Sequence, residues 1–327
     1  MRKKTVSETL LPKGRTIFFN EELHKYTDDL NHAYTSVTTV IGKYTEDFKM
    51  DDIAAACERI GKNPNHPKYL KYAGKSKKQI IWEWQQINKE ACDKGTIKHN
   101  FLETAIKESN GYKRNAKGFI NDKIYTIDDI IAKHNYGKIN LKYFETKGVK
   151  EKYPKIYNIL KDFVKLGYKI YAEIGVYDAK NLISGLIDVL LVKNNDFIIL
   201  DWKTNKAPIR FESGYYDKDS LGKLKLDTFI KKDERFKYPL DDLEDSVGNH
   251  YTMQLSTYAY LVETFGFNCK GLILCHIRTI EDAKDEEGND VEVVEIYTID
   301  YLKDKAESMI SHHSSSNISN TAINLFS

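Results

Sequence analysis

The sequence is short of several things, and each shortage excludes something. Its four cysteines, Cys57, Cys92, Cys269 and Cys275, form no CxxC pair, which argues against a disulfide framework and a zinc knuckle and leaves reduced thiols as the expectation. No run approaches the roughly 18 to 20 apolar residues that span a bilayer, and Met1 to Arg15 lacks the apolar core of a signal peptide. The chain therefore reads as soluble and cytoplasmic, with no membrane partner. Charge of one sign is also missing: 50 Lys+Arg against 48 Asp+Glu leave a net charge of +2, so nucleic acid would not be coated by bulk charge and any polyanion site must be local. Only seven of the 50 basic residues are arginine, while Ile, Asn and Tyr are abundant. That bias suggests AT-rich coding DNA, as in low-GC bacteria and their phages, and hence a bacterial or phage-infected cell.

At roughly 100 to 200 residues per domain, 327 residues allow two modest domains or one with large insertions. Three regions are expected: 1–110, an N-terminal hairpin and helical region; 111–311, a core with a charged insertion at 205–249; and 312–327, a flexible polar tail, with 1–311 forming one unit. Thr16 to Phe19 and Lys25 to Thr27 flank a polar turn and read as a hairpin, and Ser36 reads as the N-cap of a helix over Val37 to Lys43. From Asp51 to Ser109 the pattern is helical, broken at Asn63-Pro64-Asn65-His66-Pro67, the second helix carrying Trp82, Ile87, Ala91, Phe101 and Leu102. A helix over Lys155 to Leu166 ends at Gly167. Tyr168 to Tyr177, Leu182 to Lys193 and Asp196 to Trp202 then read as three consecutive antiparallel strands. After the insertion come a helix at Tyr251 to Thr264, strands at Gly271 to Arg278 and Val291 to Thr298, and a last helix to about Ser311. The class is α/β with one central sheet.

Two carboxylates stand out against this pattern. Leu186 to Val192 is apolar except for Asp188, and Phe197 to Trp202 is apolar except for Asp201. A two-residue hairpin loop at Asn194-Asn195 pairs Val192 with Phe197 and puts Asp188 opposite Asp201 on one face. Opposed like charges destabilise a sheet; at about 5 Å and an effective dielectric of roughly 20, the repulsion is on the order of 3 kcal/mol. Lys203, two residues after Asp201, projects from the same face and is a natural counter-ion. A two- or four-residue loop within Asp178 to Asn181 places Glu173 opposite Leu186, diagonal to Asp188, whereas a three-residue loop would send it to the other face. Three carboxylates and a lysine on one patch suit a hard cation, Mg²⁺ or Mn²⁺. No His or Cys pair at ligand spacing points to zinc, and no G-x-S-x-G elbow points to a serine nucleophile.

The pattern Glu173…Gly185-Leu186-Ile187-Asp188…Asp201-Trp202-Lys203 closely resembles the PD-(D/E)XK nuclease superfamily. Gln254-Leu255-Ser256-Thr257-Tyr258 looks like the QxxxY motif of its RecB-type branch, and Gly95-Thr96-Ile97-Lys98-His99 looks like that branch's GxxxH motif. Ser36-Val37-Thr38-Thr39-Val40 adds a likeness to phage-type members related to the mitochondrial genome maintenance exonuclease. The resemblance covers roughly Ser36 to Leu302. It implies a restriction-endonuclease-like core, a mixed central sheet containing the antiparallel meander and flanked by helices. It also implies a metal-dependent DNA exonuclease of replication or recombination. Asp188, Asp201, His99 and Glu173 would hold the metal, together with the backbone carbonyl of Trp202, whose side chain points into the core. Lys203 would orient or deprotonate the attacking water, and Gln254 and Tyr258 would support the site. Some relatives carry a four-cysteine iron-sulfur cluster; the cysteine placement here argues against one.

DNA, single-stranded or with free ends, is the expected partner. Its candidate contacts are Lys147, Lys150, Lys152, Lys155, Lys161, Lys165, Lys169, Thr204 and Lys206, with Tyr143, Phe144 and Tyr153 interleaved for base stacking. Ala322-Ile323-Asn324-Leu325-Phe326 resembles the pentapeptide that docks on bacterial sliding clamps, with Ala322 where that motif has Gln. Two other readings remain, a structure-selective DNA endonuclease and a nucleic-acid-binding module that kept the fold without catalysis.

Overall fold

Alternating apolar residues make the first described elements sheet. Strands β1 (Ile17–Asn20) and β2 (Lys25–Asp28) form the N-terminal hairpin, and β3 (Ala33–Ser36) runs back beside β2. The computed structural model describes residues 14–20, 23, 25–109, 122–123, 125–132, 137–219, 223–288 and 290–326. Ser36 caps α1 (Val37–Gly42), its hydroxyl accepting the Thr39 N–H at 3.1 Å. Helices α2 (Met50–Ile60), α3 (Tyr69–Tyr72) and the 33-residue α4 (Lys77–Ser109) follow, so α4 is about 50 Å long. The short elements β4 (Asp122–Lys123), α5 (Ile127–Ala132), α6 (Leu141–Glu145) and α7 (Val149–Lys152) lead to α8 (Pro154–Lys165). Gly167, at φ 87°, ends α8: its N–H bonds the Val164 carbonyl and the Tyr168 N–H that of Phe163, the Schellman pattern.

The meander is β5 (Lys169–Asp178), β6 (Ile183–Lys193) and β7 (Asp196–Lys203). A two-stranded hairpin, β8 (Gly214–Lys218) and β9 (Leu224–Lys231), occupies much of the charged insertion, which composition alone left without structure. Helix α9 (Val247–Glu263), capped by Ser246, strands β10 (Asn268–Lys284) and β11 (Asp290–Ile299), and α10 (Lys303–Phe326) complete the fold. The expected tail boundary at 312 does not end the last helix: α10 runs on, with His313 buried and Ser314 donating to Asn181 Oδ1 at 2.8 Å. The side chains of Ala322 to Phe326, where the clamp-like sequence falls, lie outside the described residues.

Nine strands form one mixed sheet in the order β11-β10-β7-β6-β3-β2-β1-β4, with β5 also on β6. The protein is α/β, its large central sheet flanked by helices. On one face α1, α9 and α10 bury Val40, Leu255, Val262 and Met309 against Ile187 and Ile199. On the other, α4, α6 and α8 bury Leu102, Ile106, Phe144 and Leu160 against Val189, Leu200 and Trp202. The early half of α4 packs less than its apolar residues suggest, since Trp82 and Ile87 are both exposed. No helix among the described residues is long and apolar enough to cross a membrane.

Candidate active site

The β6–β7 register follows the two-residue loop, from Lys193 opposite Asp196 to Val189 opposite Leu200. Pairing stops there. The next residue, Asp188, uses its side chain instead, Oδ2 accepting the Trp202 N–H at 2.9 Å. Beyond this point β7 continues beside β10, with Asp201 level with Leu274 and Lys203 with His276, while β3 takes over the edge of β6 at Ile183 and Ser184. Two strands thus part at Asp188, and a fork in a sheet is where an open α/β fold leaves a crevice.

The β5–β6 register differs from the expectation by two residues, because the connection spans 179–182 rather than ending at Asn181. Gly175 faces Leu186 and Ala172 faces Val189. Glu173 is therefore level with Asp188, not diagonal to it, and these two positions are left out of the ladder. Glu173 sits at φ 53°, a left-handed conformation that few non-glycine residues adopt. Its effect is visible in the packing: Ile170 and Ala172 join the core on one face of the sheet, Ile174 and Val176 the core on the other. A one-residue kink has inverted the alternation.

At the fork, Lys203 Nζ lies 2.6 Å from Asp201 Oδ2, an atom that makes no hydrogen bond of regular geometry. His99 Nδ1 is 3.6 Å from Asp188 Oδ2, and its ring also bonds the Trp202 backbone. Burial and the charge of Asp201 push the Asp188 carboxyl well above the usual range, against Lys203 and the Trp202 N–H. Burial depresses the Lys203 ammonium, but Asp201 and Asp188 more than offset this and its net shift is upward. Lys203 is held as a cation. Burial draws the His99 imidazole below its ordinary value.

Helix α9 fixes the lysine. Gln254 Oε1 accepts from Lys203 Nζ at 3.0 Å, and Gln254 Nε2 donates to the Tyr258 hydroxyl at 3.1 Å. The Tyr258 ring lies so close to Gly185 that a Cβ there would sit 2.3 Å from it. The Tyr251 ring stacks beneath Lys203 Nζ at 4.5 Å. Trp202 is buried on the opposite face.

Helix α4 approaches with Gly95, His99, Glu103 and Lys107, four apart and so on one stripe. A Cβ at Gly95 would meet Thr204 Oγ1 at 2.8 Å, so only glycine lets the chain after Lys203 come this close. Glu103 and Lys107 form an ion pair, and Lys107 Nζ reaches Glu173 Oε2 at 3.2 Å. Burial, then the charge of Glu173, raises the Glu103 carboxyl to about 7, against the pull of Lys107. Glu173 is thus engaged by Lys107 and Glu103. Among the described residues no group of three or more His, Cys, Asp or Glu side chains is gathered closely enough to hold a metal ion; at the fork Lys203 stands against Asp201, and His99 against Asp188.

Sequence reasoning missed three groups here. Lys107 lay four residues beyond the His99–Glu103 spacing and was readable from it. Buried Lys98, which meets Glu292 Oε1 at 2.5 Å, was not. Nor was buried His276, whose Nε2 bonds the Asn205 carbonyl at 2.8 Å and ties down the loop after Lys203.

The expected DNA-contact residues are scattered in role. Lys147 pairs with Glu108, and Lys155 donates to the Val294 carbonyl at 2.8 Å. Lys150 and Lys152 lie over the Tyr157 and Phe101 rings at 5.9 and 5.3 Å. Lys206 is exposed and Thr204 is packed beside Gly95. The stacking expectation fails for Phe144 and Tyr153, which are buried in the core, and leaves Tyr143 as the exposed ring. Cys275 is likewise buried, beside Trp202's cluster. Compared with known proteins, the chain matches no family model and no curated sequence.

Proposed function

We propose that the chain is a metal-dependent deoxyribonuclease of the PD-(D/E)XK type on a restriction-endonuclease-like core, acting as an exonuclease on DNA ends in replication or recombination. One observation carries the reading: Asp188 and Asp201 stand on two strands that part between them, with Lys203 at 2.6 Å from one and His99 at 3.6 Å from the other. A fold gains no stability from opposing two buried acids. A divalent cation gives them a use.

The donor set fits Mg²⁺ or Mn²⁺, because the carboxylates are hard oxygen ligands and Asp201 Oδ2 is buried without a regular hydrogen bond. Asp188, Asp201 and the His99 imidazole would hold the ion, with Glu173 anchored alongside by Lys107. When bound, such an ion neutralises a phosphodiester and lowers the pKa of a water. Lys203 supplies the rest. As a cation held by Asp201 and Gln254, its ammonium donates hydrogen bonds to the attacking water or to a phosphate oxygen and opposes the negative charge that grows as the P–O bond breaks. A raised pKa suits this donor role better than that of a base. Tyr258, seated on Gly185, holds Gln254, which holds Lys203.

End-labelled single- and double-stranded DNA incubated with Mg²⁺, Mn²⁺ or EDTA tests the reading, with a covalently closed circle as the control for end dependence. Cleavage from ends with either ion and none in EDTA is expected. Undiminished cleavage in EDTA would overturn the metal assignment, and cutting of the circle would move the activity to the endonuclease class.

A further inference from the structure

A cleft of about 490 Å³ opens between α3, the early part of α4 and the β8–β9 hairpin, within the ~300–1,000 Å³ usual for ligand sites. Its floor is the loop that follows Lys203. Asn205 lines it, and Asn205 Oδ1 accepts from the hydroxyl of Tyr251, the ring that carries Lys203 Nζ. The cleft thus adjoins the fork.

Its walls combine two chemistries. Trp84 and Tyr215 line the cleft with aromatic rings, Tyr215 being 47% exposed, while Tyr72, which also lines it, is buried. Lys68, Lys71 and Lys218 line the same space, and no ion pair to a carboxylate is present for any of them among the described residues. Arg210 is different: its Nε donates to the Tyr216 hydroxyl at 2.8 Å and it lies 5.3 Å from the Phe229 centroid, so it braces the wall. Two acids also line the cleft; Asp217 is matched by Lys225 at 3.1 Å, and Asp219 accepts the Lys223 N–H. Burial, followed by the charges of Lys218, Lys68 and Lys75, pulls the Lys71 ammonium below its ordinary value. Crowded cations of this kind are relieved by an anion.

We propose that this cleft binds one nucleotide of a single strand flanking the bond held at the fork, its base on the Trp84–Tyr215 wall and its phosphate on Lys68, Lys71 and Lys218. Stacking needs an open base face, which an unpaired strand offers and a duplex hides between its neighbours. The cations read the backbone without regard to sequence. The inference rests on the nuclease reading for its direction, because it makes the cleft the place where the strand beside the scissile bond is gripped. It also brings function to the 205–249 insertion and to α3, which the resemblance left without a role.

Binding of fluorescein-labelled (dT)12 to the full chain in EDTA, where no turnover occurs, separates the cleft from the chemistry. Wild type should bind (dT)12 with an affinity that falls with salt, and at least tenfold more tightly than a 12-bp duplex. The double variant Lys71→Glu/Lys218→Glu should lose at least tenfold with an unchanged melting temperature, and Trp84→Ala about tenfold. Wild-type (dT)12 affinity in the double variant would overturn the cleft and leave the nuclease reading standing. Equal affinity for the duplex would overturn the single-strand assignment. A chain that never cleaves DNA but binds (dT)12 through Lys71 and Lys218 would overturn the nuclease reading and keep the cleft.

Discussion

Two clusters with the same inventory lie side by side in this molecule: Asp188, Asp201 and Lys203 at the fork, and Glu103, Glu173 and Lys107 beneath α4. Each has two carboxylates and one ammonium, yet they are built differently. Lys107, with 6% of its side chain exposed, is clamped between a helical i,i+4 partner and a strand residue, and the surplus charge is met by Glu103 holding a proton to about pH 7. At the fork, Asp201 is the one carboxylate among the described residues paired with Lys203, whose other directions are taken by Gln254 and the Tyr251 ring, and Asp188 keeps a fifth of its side chain exposed beside His99. The first cluster is closed by its own proton. The second is left open, with Asp201 Oδ2 making no regular hydrogen bond; under the proposed function an ion from outside would complete it.

The largest effect separating the two should be on activity. Asp201→Asn should abolish Mg²⁺-dependent cleavage and leave the melting temperature unchanged or higher, because it relieves repulsion across the fork; Glu103→Gln should retain cleavage. Full activity of Asp201→Asn in the end-labelled assay would break the comparison at its root.

Stability comes next. Removing either lysine strands buried carboxylates, so Lys203→Met and Lys107→Met should each cost about 3–5 kcal/mol by urea denaturation. Millimolar Mg²⁺ should restore stability to Lys203→Met only. Equal rescue of both variants would show that the clusters do not differ in their need for a cation.

A smaller effect is expected at His99. His99→Ala should raise the Mg²⁺ concentration for half-maximal rate about 10- to 100-fold, the scale seen when groups around a metal are removed. A structural histidine would instead lower the melting temperature and leave the metal titration unmoved. Gln254→Ala, one step further from the acids, should slow turnover about tenfold without shifting that titration.

The smallest effect is a pH dependence. Glu103 titrates near 7 folded against 4.5 unfolded. Between these values the folded chain keeps a proton that the unfolded chain has lost, so its stabilisation is complete below about pH 4.5 and declines as pH rises toward 7. Glu103→Gln stays neutral throughout and should flatten the fall in urea midpoint between pH 5 and 7. An unchanged slope would place the shared proton elsewhere.

Much of the site was legible because short-range rules generate it. A two-residue loop fixes the β6–β7 register as far as Val189 and Leu200, and alternation puts Trp202 on the opposite face from Asp201 and Lys203; the expected Asp188–Asp201 pair does not form, because pairing stops one residue short and Asp188 accepts the Trp202 N–H instead. The i,i+4 spacing of Gln254 with Tyr258 and of Gly95, His99 and Glu103 gives their shared faces. The β5–β6 register was off by two residues, because the four-residue connection could be placed at either of two positions and nothing local decides between them. The parity of Glu173 survived, but its left-handed backbone did not announce itself.

What the sequence determined by itself is the main elements, the β5–β7 meander with α8 and α9, and the side-chain alternation within them, since helix and strand periodicity are properties of the local backbone. The tertiary structure alone decided that β7 leaves β6 at Asp188 to run parallel to β10, that Lys107 reaches across to Glu173, and that α3 and the β8–β9 hairpin close on one aromatic, cationic cleft. These depend on contacts between residues far apart in sequence, 66 positions from Lys107 to Glu173, and are set by which apolar faces bury one another across the whole sheet.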